Sequence, residues 1–214
     1  MLNIALPKGR LGDQVYALFR SVGYDCSAMD GDDRRLVLSD PGGDIAYLLV
    51  KPSDVAVYVE HGAADVGVVG KDVLLEGGYD VYELMDLGLG VCRMAVAAPE
   101  GFHEDRSRPL RVATKYPTIA KRHYARSSRE IELIHLNGSI ELAPLLHLSD
   151  VIVDIVETGT TLRQNHLEVI ETILPVSARL IVNKASMKFQ DEAIRDMASR
   201  LAKGLQATAG GEKR

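Results

Sequence analysis

The sequence has few cysteines, no excess of positive charge and no long apolar run. Cys26 and Cys92 are its two cysteines, and they lack the spacing of a zinc site or a redox pair. The net charge of −5 gives no general attraction to polyanions. No apolar window approaches the length of a membrane span, and the N-terminus carries no export signal. We therefore predict a cytoplasmic protein with reduced thiols and with neither a nucleic-acid nor a membrane partner.

The hydrophobic fraction of 46% in 214 residues is ample for a folded core. A chain of this length can form one large domain or two small lobes, and the glycine-rich stretch 87–91 is a candidate crossing between lobes. In the second half, apolar periodicity predicts strands at 110–114, 131–136, 167–175 and 178–182 and helices at 118–127, 140–146 and 191–205. Strands that alternate with helices predict an α/β fold with parallel strands.

Residues 151–162, VIVDIVETGTTL, are the most informative stretch. The first six are β-branched except for Asp154, which is the composition of a strand buried on both faces. The loop 157–161 follows at once, with one carboxylate, three hydroxyls and a glycine. Backbone N–H groups in such a turn form an anion-binding concavity, and threonine hydroxyls add uncharged donors, so the loop suits a phosphate. An ordinary glycine turn and helix cap explain this stretch equally well.

Two basic residues follow the first predicted strand. Residues 2–6 form this strand, and Lys8 and Arg10 lie in the loop before a helix that ends at Gly23. Ligands of open α/β sheets bind at the carboxyl ends of strands, so these two cations could contact phosphates. A solvated turn is the other explanation, and the spacing alone slightly favours it.

A second basic pair, Arg34 and Arg35, leads into a predicted hairpin of residues 36–38 and 45–50. Adjacent arginines most often only solubilise the end of a strand. The sequence by itself therefore gives this pair no binding role.

The segment around the predicted strand 66–69 resembles a nucleotide-triphosphate loop, because it contains Gly67, Gly70 and Lys71. That loop needs glycine at position 65 and a hydroxyl at position 72, and aspartates stand at both. We therefore reject a triphosphatase loop. Asp65 and Gly67 remain candidates for the lining of a cleft.

Six segments form a pattern when they are taken together. They are ALPKGRL at 5–11, KPSDVAVYVEHGAADVGVVGKDVLLE at 51–76, ATKYPTIAKRHY at 113–124, NGSIELAP at 137–144, VDIVETGTTLRQN at 153–165 and SARLIVN at 177–183. In this order they resemble the ATP phosphoribosyltransferase family, which catalyses the first step of histidine biosynthesis. Any one segment is a weak match, but six in order are specific, and the resemblance runs from near residue 2 to about residue 200.

The resemblance implies a two-lobed fold like a type II periplasmic binding protein, with mostly parallel sheets and an active-site cleft between the lobes. We expect lobe I to take residues 1–90 and 176–214 and lobe II to take residues 91–175. The family's long form adds a C-terminal regulatory domain that binds histidine. Too few residues follow Leu205 to build such a domain, so the chain resembles the short form.

The short form also implies partners. Short-form chains assemble with a regulatory subunit related to histidyl-tRNA synthetases into a hetero-octamer, so this assembly and self-association of the chain are expected. The substrates implied are ATP and phosphoribosyl pyrophosphate. N1 of the adenine attacks C1 of the ribose, pyrophosphate leaves, and phosphoribosyl-ATP forms. N1 already carries a lone pair, so cations at the departing diphosphate matter more than a strong base. We expect Mg²⁺ to arrive on the substrate phosphates rather than in a protein metal site.

The family's motifs assign roles to individual residues of this chain. The 5-phosphate of phosphoribosyl pyrophosphate is expected at Glu157, Thr158, Gly159, Thr160 and Thr161, with Asp154 and Glu157 near the ribose hydroxyls. The catalytic candidates are Lys8, Arg10 and Arg34, which are expected to face the ATP triphosphate or the leaving pyrophosphate. Less closely matched candidates for ATP binding are Lys51, Asp65 and Glu141. Many members have arginine at the position of Lys51, and lysine cannot give the same two-pronged phosphate contact.

Two other functions fit parts of the sequence. One is a non-catalytic, two-lobed module that binds a small anion, and the other is a type I phosphoribosyltransferase that acts on a free base. Lys8 and Arg10 together with the threonine loop favour the enzyme over the module. Asp154 and Glu157 are not adjacent, unlike the acidic pair of the type I class, so that class's ribose geometry is not transferred.

Overall fold

The structure is a computed structural model that describes residues 1–29 and 35–211. Its strands are β1 Leu2–Pro7, β2 Val37–Ser39, β3 Ile45–Val50, β4 Val66–Gly70, β5 Tyr82–Asp86, β6 Cys92–Pro99, β7 Leu110–Thr114, β8 Ile131–His135, β9 Val151–Val156, β10 Leu167–Val176 and β11 Ala178–Val182. Its helices are α1 Arg10–Ser21, α2 Val55–Glu60, α3 Lys71–Gly77, α4 Pro117–Arg126, α5 Leu142–Leu145, α6 Thr160–Gln164, α7 Ser186–Phe189 and α8 Asp191–Gly211. None of the helices within these ranges has the length and apolar character needed to cross a bilayer.

The described residues divide into two compact units. Unit 1 takes the described parts of Met1–Leu74, Gly78–Gly90 and Ser177–Arg214, and unit 2 takes Leu75–Gly77 and Val91–Val176. Each unit is built on one sheet. The strand order is β2-β3-β1-β4-β11-β5 in unit 1 and β10-β6-β9-β7-β8 in unit 2.

Both sheets are mixed, which corrects the expectation of mostly parallel sheets. In unit 1, β1 pairs in parallel with β3 and β4, while β2 and β11 run antiparallel to their neighbours. In unit 2, β7 pairs in parallel with β8 and β9, while β6 runs antiparallel to β9 and β10. A crossover helix fixes a parallel direction only for the strands that it joins. The strands β6, β10 and β11 are not joined to their sheet neighbours in this way, so the alternating pattern did not fix their direction.

In unit 1, helices cover both faces of the sheet. The apolar residues of α1 and α8 pack on one face, where Phe19 and Met197 are fully buried. Helix α2 packs on the other face, so closely that a Cβ on Gly67 would lie 2.7 Å from Val59 Cγ2 and 2.8 Å from Val55 Cγ1. This close approach explains why β4 carries a glycine inside an otherwise β-branched strand.

In unit 2, the central strand β9 is also covered on both faces. Val151 and Val153 pack with the residues of α4, whereas Ile152 and Val156 pack with those of α5 and α6. The predicted strand with two buried faces is thereby confirmed. Because side chains alternate along a strand, Asp154 lies on the face of α5 and α6.

One buried carboxylate holds together the amino-terminal ends of β7 and β9. Asp150 is 9% exposed, and its two oxygens accept hydrogen bonds from the Arg108 guanidinium at 2.8 and 2.9 Å. Arg111 adds its backbone N–H at 2.9 Å and its Nη2 at 2.7 Å. The hydrogen bonds from Arg108, followed by those from Arg111, hold the pKa of the Asp150 carboxyl well below its usual range.

We expect Asp150→Asn to lower the free energy of unfolding by about 2 kcal/mol at pH 7, because the variant loses charge-assisted hydrogen bonds. The pKa of Asp150 is depressed in the folded state, so its stabilisation is complete well above pH 4 and fades as the pH falls through the folded value. Urea unfolding should therefore show a smaller difference between the variant and the parent at pH 3 than at pH 7. The control is Glu100→Gln, an exposed carboxylate in the same unit. An equal difference at both pH values would contradict this assignment.

Candidate functional site

Two lysines lie side by side at the carboxyl edge of the sheet in unit 1. Pro7, the last residue of β1, is paired with Val50, the last residue of β3. The Lys8 backbone N–H donates to the Val50 carbonyl at 2.9 Å. Lys8 and Lys51 therefore leave the sheet at neighbouring positions, and both are exposed. Their closeness follows from the parallel register and not from their separation in the sequence.

Gly9 turns the chain from β1 into α1. Its φ of 84° and ψ of −163° are accessible essentially to glycine alone. The Gly9 carbonyl accepts the Asp13 N–H at 3.1 Å, and Tyr16 Oη donates to the Pro7 carbonyl at 2.9 Å, so the first turn of α1 is tied to the end of β1. As a result, Arg10 is held on this first turn as an exposed residue close to Lys8.

A third strand brings another cation to the same edge. The Leu49 N–H donates to the Leu36 carbonyl at 2.9 Å in the antiparallel pair of β2 and β3. Arg35 precedes Leu36 by one residue, so it lies beside the end of β3, and it is exposed. Arg34 lies outside the described residues. We refer to Lys8, Arg10, Arg35 and Lys51 as the cationic edge, because lysine and arginine are the side chains that give charge-assisted hydrogen bonds to phosphate.

In unit 2, the loop 157–161 joins β9 to α6. Gly159 has a left-handed backbone, with φ 71° and ψ 11°, and α6 begins at the next residue. The other four residues of the loop are exposed. The predicted sequence of strand, glycine turn and helix is thus confirmed, and we refer to residues 157–161 as the hydroxyl loop.

Hydrogen bonds within the hydroxyl loop hold its side chains in place. Thr158 Oγ1 and Thr160 Oγ1 are 3.0 Å apart and share a hydrogen bond. The Thr160 backbone N–H also points at Thr158 Oγ1, at 3.4 Å. Arg163, on α6, donates from Nη1 to the Thr158 carbonyl at 3.0 Å and from Nη2 to Thr160 Oγ1 at 3.1 Å. The loop therefore offers ordered hydroxyl and amide donors at its surface.

Three charged residues share one face of the unit 2 sheet with the hydroxyl loop. Asp154 is half-buried, and its Oδ1 accepts the Ile155 N–H at 2.8 Å. Arg93 is paired with Val156 across the antiparallel strands β6 and β9, and directly opposite residues project to the same face. Glu141 is half-buried at the start of α5, which packs on this face. Two carboxylates and one guanidinium thus lie on the same face of the sheet as the hydroxyl loop.

Comparison with known proteins shows the family of this chain. The family model for HisG, ATP phosphoribosyltransferase, matches residues 51–203. An ATP phosphoribosyltransferase of Brachyspira hyodysenteriae is 54% identical over 206 residues, which are 96% of this chain and 100% of the relative. One of Caldanaerobacter subterraneus is 51% identical over 94% of this chain and 96% of the relative. A chain of the ATP phosphoribosyl transferase (HisG:HisZ) complex from Thermotoga maritima aligns with a TM-score of 0.85 and 33% identity, over 97% of this chain and 100% of that chain.

This chain belongs to the ATP phosphoribosyltransferase family. The predictions of the family, of a glycosyltransferase and of a role in the first step of histidine biosynthesis are confirmed. The relative from Brachyspira is covered completely by a match that takes 96% of this chain, so the two are similar in length, as the resemblance to the short form predicts. Membership of an enzyme family also favours catalysis over the non-catalytic module.

The structure does not bring Asp65 together with the cationic edge. Asp65 precedes β4 at the opposite, amino-terminal edge of the sheet and is 8% exposed. Its Oδ2 accepts the Asn3 N–H at 2.8 Å, and its Oδ1 accepts Ser186 Oγ at 2.6 Å and Gln190 Nε2 at 2.7 Å. These contacts tie the start of the sheet to Ser186 on α7 and to Gln190 between α7 and α8. They give Asp65 a structural role, and its place in a ligand site stays a prediction.

Three arginines without a predicted role lie beside predicted residues. Arg35 stands at the cationic edge, Arg93 lies opposite the last residue of β9, and Arg163 is bonded to the hydroxyl loop. The hairpin between β2 and β3 could have revealed Arg35, because a hairpin puts the start of one strand beside the end of the other. Arg163 follows Gly159 by four residues, the spacing of one helical turn. Arg93 has no local signal, because its position depends on the pairing of β6 with β9.

Proposed function

We propose that this ATP phosphoribosyltransferase binds the 5-phosphate of phosphoribosyl pyrophosphate on its hydroxyl loop and binds polyphosphate groups on its cationic edge. The reaction joins N1 of the ATP adenine to C1 of the ribose, while the bond from C1 to the diphosphate oxygen breaks. The products are phosphoribosyl-ATP and pyrophosphate. The observation that carries the proposal is the hydroxyl loop, an ordered turn of exposed hydroxyls and amides at the end of a buried strand.

The donors of the hydroxyl loop suit a terminal phosphate monoester. Its left-handed glycine places backbone N–H groups without a side chain over them, and its threonines add hydroxyl donors without charge. Asp154 and Glu157 bracket the end of β9, so we assign them to the ribose hydroxyls, which donate hydrogen bonds to carboxylates. Glu141, on the same face, remains a candidate for a contact with ATP.

The cationic edge supplies positive charge that stabilises the departing diphosphate. The N1 lone pair attacks without prior loss of a proton, so the barrier lies in the growing charge on the diphosphate and in the electron-poor ribose carbon. We assign Lys8, Arg10 and Arg34 to the triphosphate of ATP or the leaving pyrophosphate, and we add Arg35 and Lys51 from their position on the same edge. Fixed cations lower the barrier because they need no reorganisation as the charge develops.

Magnesium would neutralise part of the diphosphate charge and would arrive bound to the substrate. The described residues contain no group of three or more histidine, cysteine, aspartate or glutamate side chains suited to hold a metal ion. Substrate phosphate oxygens and water are the ligands that Mg²⁺ commonly keeps in phosphate-transfer sites. The proposal therefore places the ion on the diphosphate and gives the cationic edge the remaining charge.

The proposal extends to partners and location. The similar chain from Thermotoga maritima comes from a HisG:HisZ complex, and we propose that this chain likewise assembles with a regulatory subunit related to histidyl-tRNA synthetases. Self-association within a hetero-octamer is part of the same proposal. Neither Cys26 nor Cys92 is part of a disulfide, which suits the reducing cytoplasm that we propose as its location.

A mixing assay tests the function. The purified chain is incubated with ATP, phosphoribosyl pyrophosphate and Mg²⁺, with and without the synthetase-like subunit from the same source, and phosphoribosyl-ATP is measured. We expect product in both mixtures and a higher rate with the subunit. A parallel reaction with adenine in place of ATP separates this enzyme from a type I phosphoribosyltransferase. Product from adenine but not from ATP would overturn the proposed reaction.

A further inference from the structure

Arg163 donates hydrogen bonds to the hydroxyl loop from both terminal nitrogens of its guanidinium. It lies on α6, outside the hydroxyl loop itself, and its side chain is exposed. Its Nη1 reaches the Thr158 carbonyl and its Nη2 reaches Thr160 Oγ1. We infer that Arg163 is a positioning residue that turns the hydroxyl loop into a one-way hydrogen-bond donor for phosphate. This inference rests on the proposed function of the loop.

The bond to the Thr158 carbonyl sets the direction of a peptide group. In a planar trans peptide, the C=O and the following N–H point in opposite directions. With the Thr158 carbonyl held toward Arg163 at 3.0 Å, the Gly159 N–H is directed away from the guanidinium. A rotated peptide would instead present the carbonyl oxygen to an incoming phosphate, which would repel it. Arg163 opposes that rotation at a glycine, the residue whose backbone rotates most freely.

The bond to Thr160 Oγ1 restricts the arrangements that the two hydroxyls can adopt. Thr160 Oγ1 accepts a hydrogen bond from Arg163, and Thr158 Oγ1 faces the Thr160 backbone N–H. In the hydrogen bond between the two hydroxyls, either oxygen can be the donor. Whichever one accepts then has both lone pairs occupied and keeps its own hydrogen. That hydrogen can only be donated outward, and a phosphate oxygen is the acceptor that the loop is proposed to bind.

The test measures steady-state kinetics of the chain with its regulatory subunit, with each substrate varied in turn. Arg163→Met keeps the length of the side chain and removes the donors, so we expect KM for phosphoribosyl pyrophosphate to rise about tenfold, as loss of one or two such bonds implies. We expect kcat and KM for ATP to stay within about twofold, because the lost contact serves one substrate only. Arg163→Lys keeps the charge but cannot reach both acceptors. Its KM should therefore stay closer to that of Arg163→Met than to that of the parent on a logarithmic scale.

Two control variants and one comparison separate the outcomes. Gln164→Met alters the next residue of α6, and Arg126→Met removes the same charge from α4 in the same unit, and neither should change KM. Full recovery in Arg163→Lys would overturn the role of the two-pronged contact. An unchanged KM in Arg163→Met, while Gly159→Val raises KM, would overturn the role of Arg163 and leave the function of the loop intact. An unchanged KM in both variants would overturn both proposals.

Discussion

Replacing Arg10 with alanine is expected to lower kcat by about 10²–10³-fold, the usual cost of removing one donor that stabilises developing charge. Arg10 is held on the first turn of α1, next to Lys8 and at the edge where Lys51 leaves β3. Its guanidinium is proposed to contact the departing pyrophosphate, whose charge grows only as the bond to C1 breaks. The loss should therefore fall mainly on kcat and less on KM for either substrate. Steady-state kinetics with saturating ATP and phosphoribosyl pyrophosphate measures it.

A matched control for Arg10→Ala exists in the same unit. Arg195 is exposed on α8 and forms an ion pair with Asp191 one helical turn away. Arg195→Ala removes the same charge from unit 1 without touching the cationic edge, so its kcat should equal that of the parent. Arg10→Lys should regain part of the rate, because it restores the charge but not the planar fork. If kcat of Arg10→Ala were near normal, Arg10 would have no part in catalysis.

Replacing Gly159 with valine is expected to raise KM for phosphoribosyl pyrophosphate by about 10²-fold, because the displaced loop loses one or two hydrogen bonds to a charged phosphate, each worth about 1.5–3 kcal/mol. A β-branched residue is strained at the φ of 71° that Gly159 adopts. Its Cβ would lie 3.3 Å from Arg163 Nη1 and 3.7 Å from Val156 Cγ1. The backbone strain displaces the loop, because the 3.3 Å approach needs only a small shift of Arg163 and 3.7 Å is an ordinary contact. The displaced donors then no longer match the 5-phosphate. KM for ATP should change much less.

Gly101→Val is the matched control for backbone strain. Gly101 lies in the same unit with a φ of 75°, and a Cβ there would meet no atom within 4 Å. The two variants should lose similar stability in urea unfolding, but only Gly159→Val should change KM for phosphoribosyl pyrophosphate. A KM that stays at the parent value in Gly159→Val would remove the 5-phosphate from the hydroxyl loop.

The part of the site that local chemistry specifies could be predicted from the sequence. The β-branched run of β9 predicts the strand, and the glycine that follows predicts where it ends. The hydroxyls of the loop are close together in the sequence. Lys8 and Arg10 follow a short apolar strand in the same way. These patterns depend only on residues within one turn or one strand of each other, so they can be recognised in the sequence alone.

Features that depend on distant pairings could not be predicted in this way. The Glu76 carboxylate accepts the backbone N–H groups of Thr118 and Ile119 at 2.9 and 3.1 Å and so caps α4 from 42 residues away. The family resemblance predicts a ligand contact for Asp65, and no local signal shows that its carboxylate accepts hydrogen bonds from Asn3, Ser186 and Gln190. The directions of β6 and β10 could not be predicted either, because no crossover helix joins these strands to their sheet neighbours.

One helix boundary shows how a local conformation overrides periodicity. The sequence predicted a helix at 140–146, and α5 covers only Leu142–Leu145. Ser139 and His147 have φ values of 49° and 56°, and residues in this left-handed region interrupt a helix on either side. Neither residue is a glycine, so the residue types did not indicate a positive φ at these positions.

The most direct test of the central claim is a crystal structure of the chain with phosphoribosyl pyrophosphate bound. We predict that the 5-phosphate lies within hydrogen-bond distance of the Thr158 or the Thr160 hydroxyl and of the backbone N–H groups of residues 158, 159 and 161. We predict that the diphosphate of the same molecule does not occupy that loop. A 5-phosphate bound elsewhere, with residues 157–161 contacting no part of the substrate, would contradict the account.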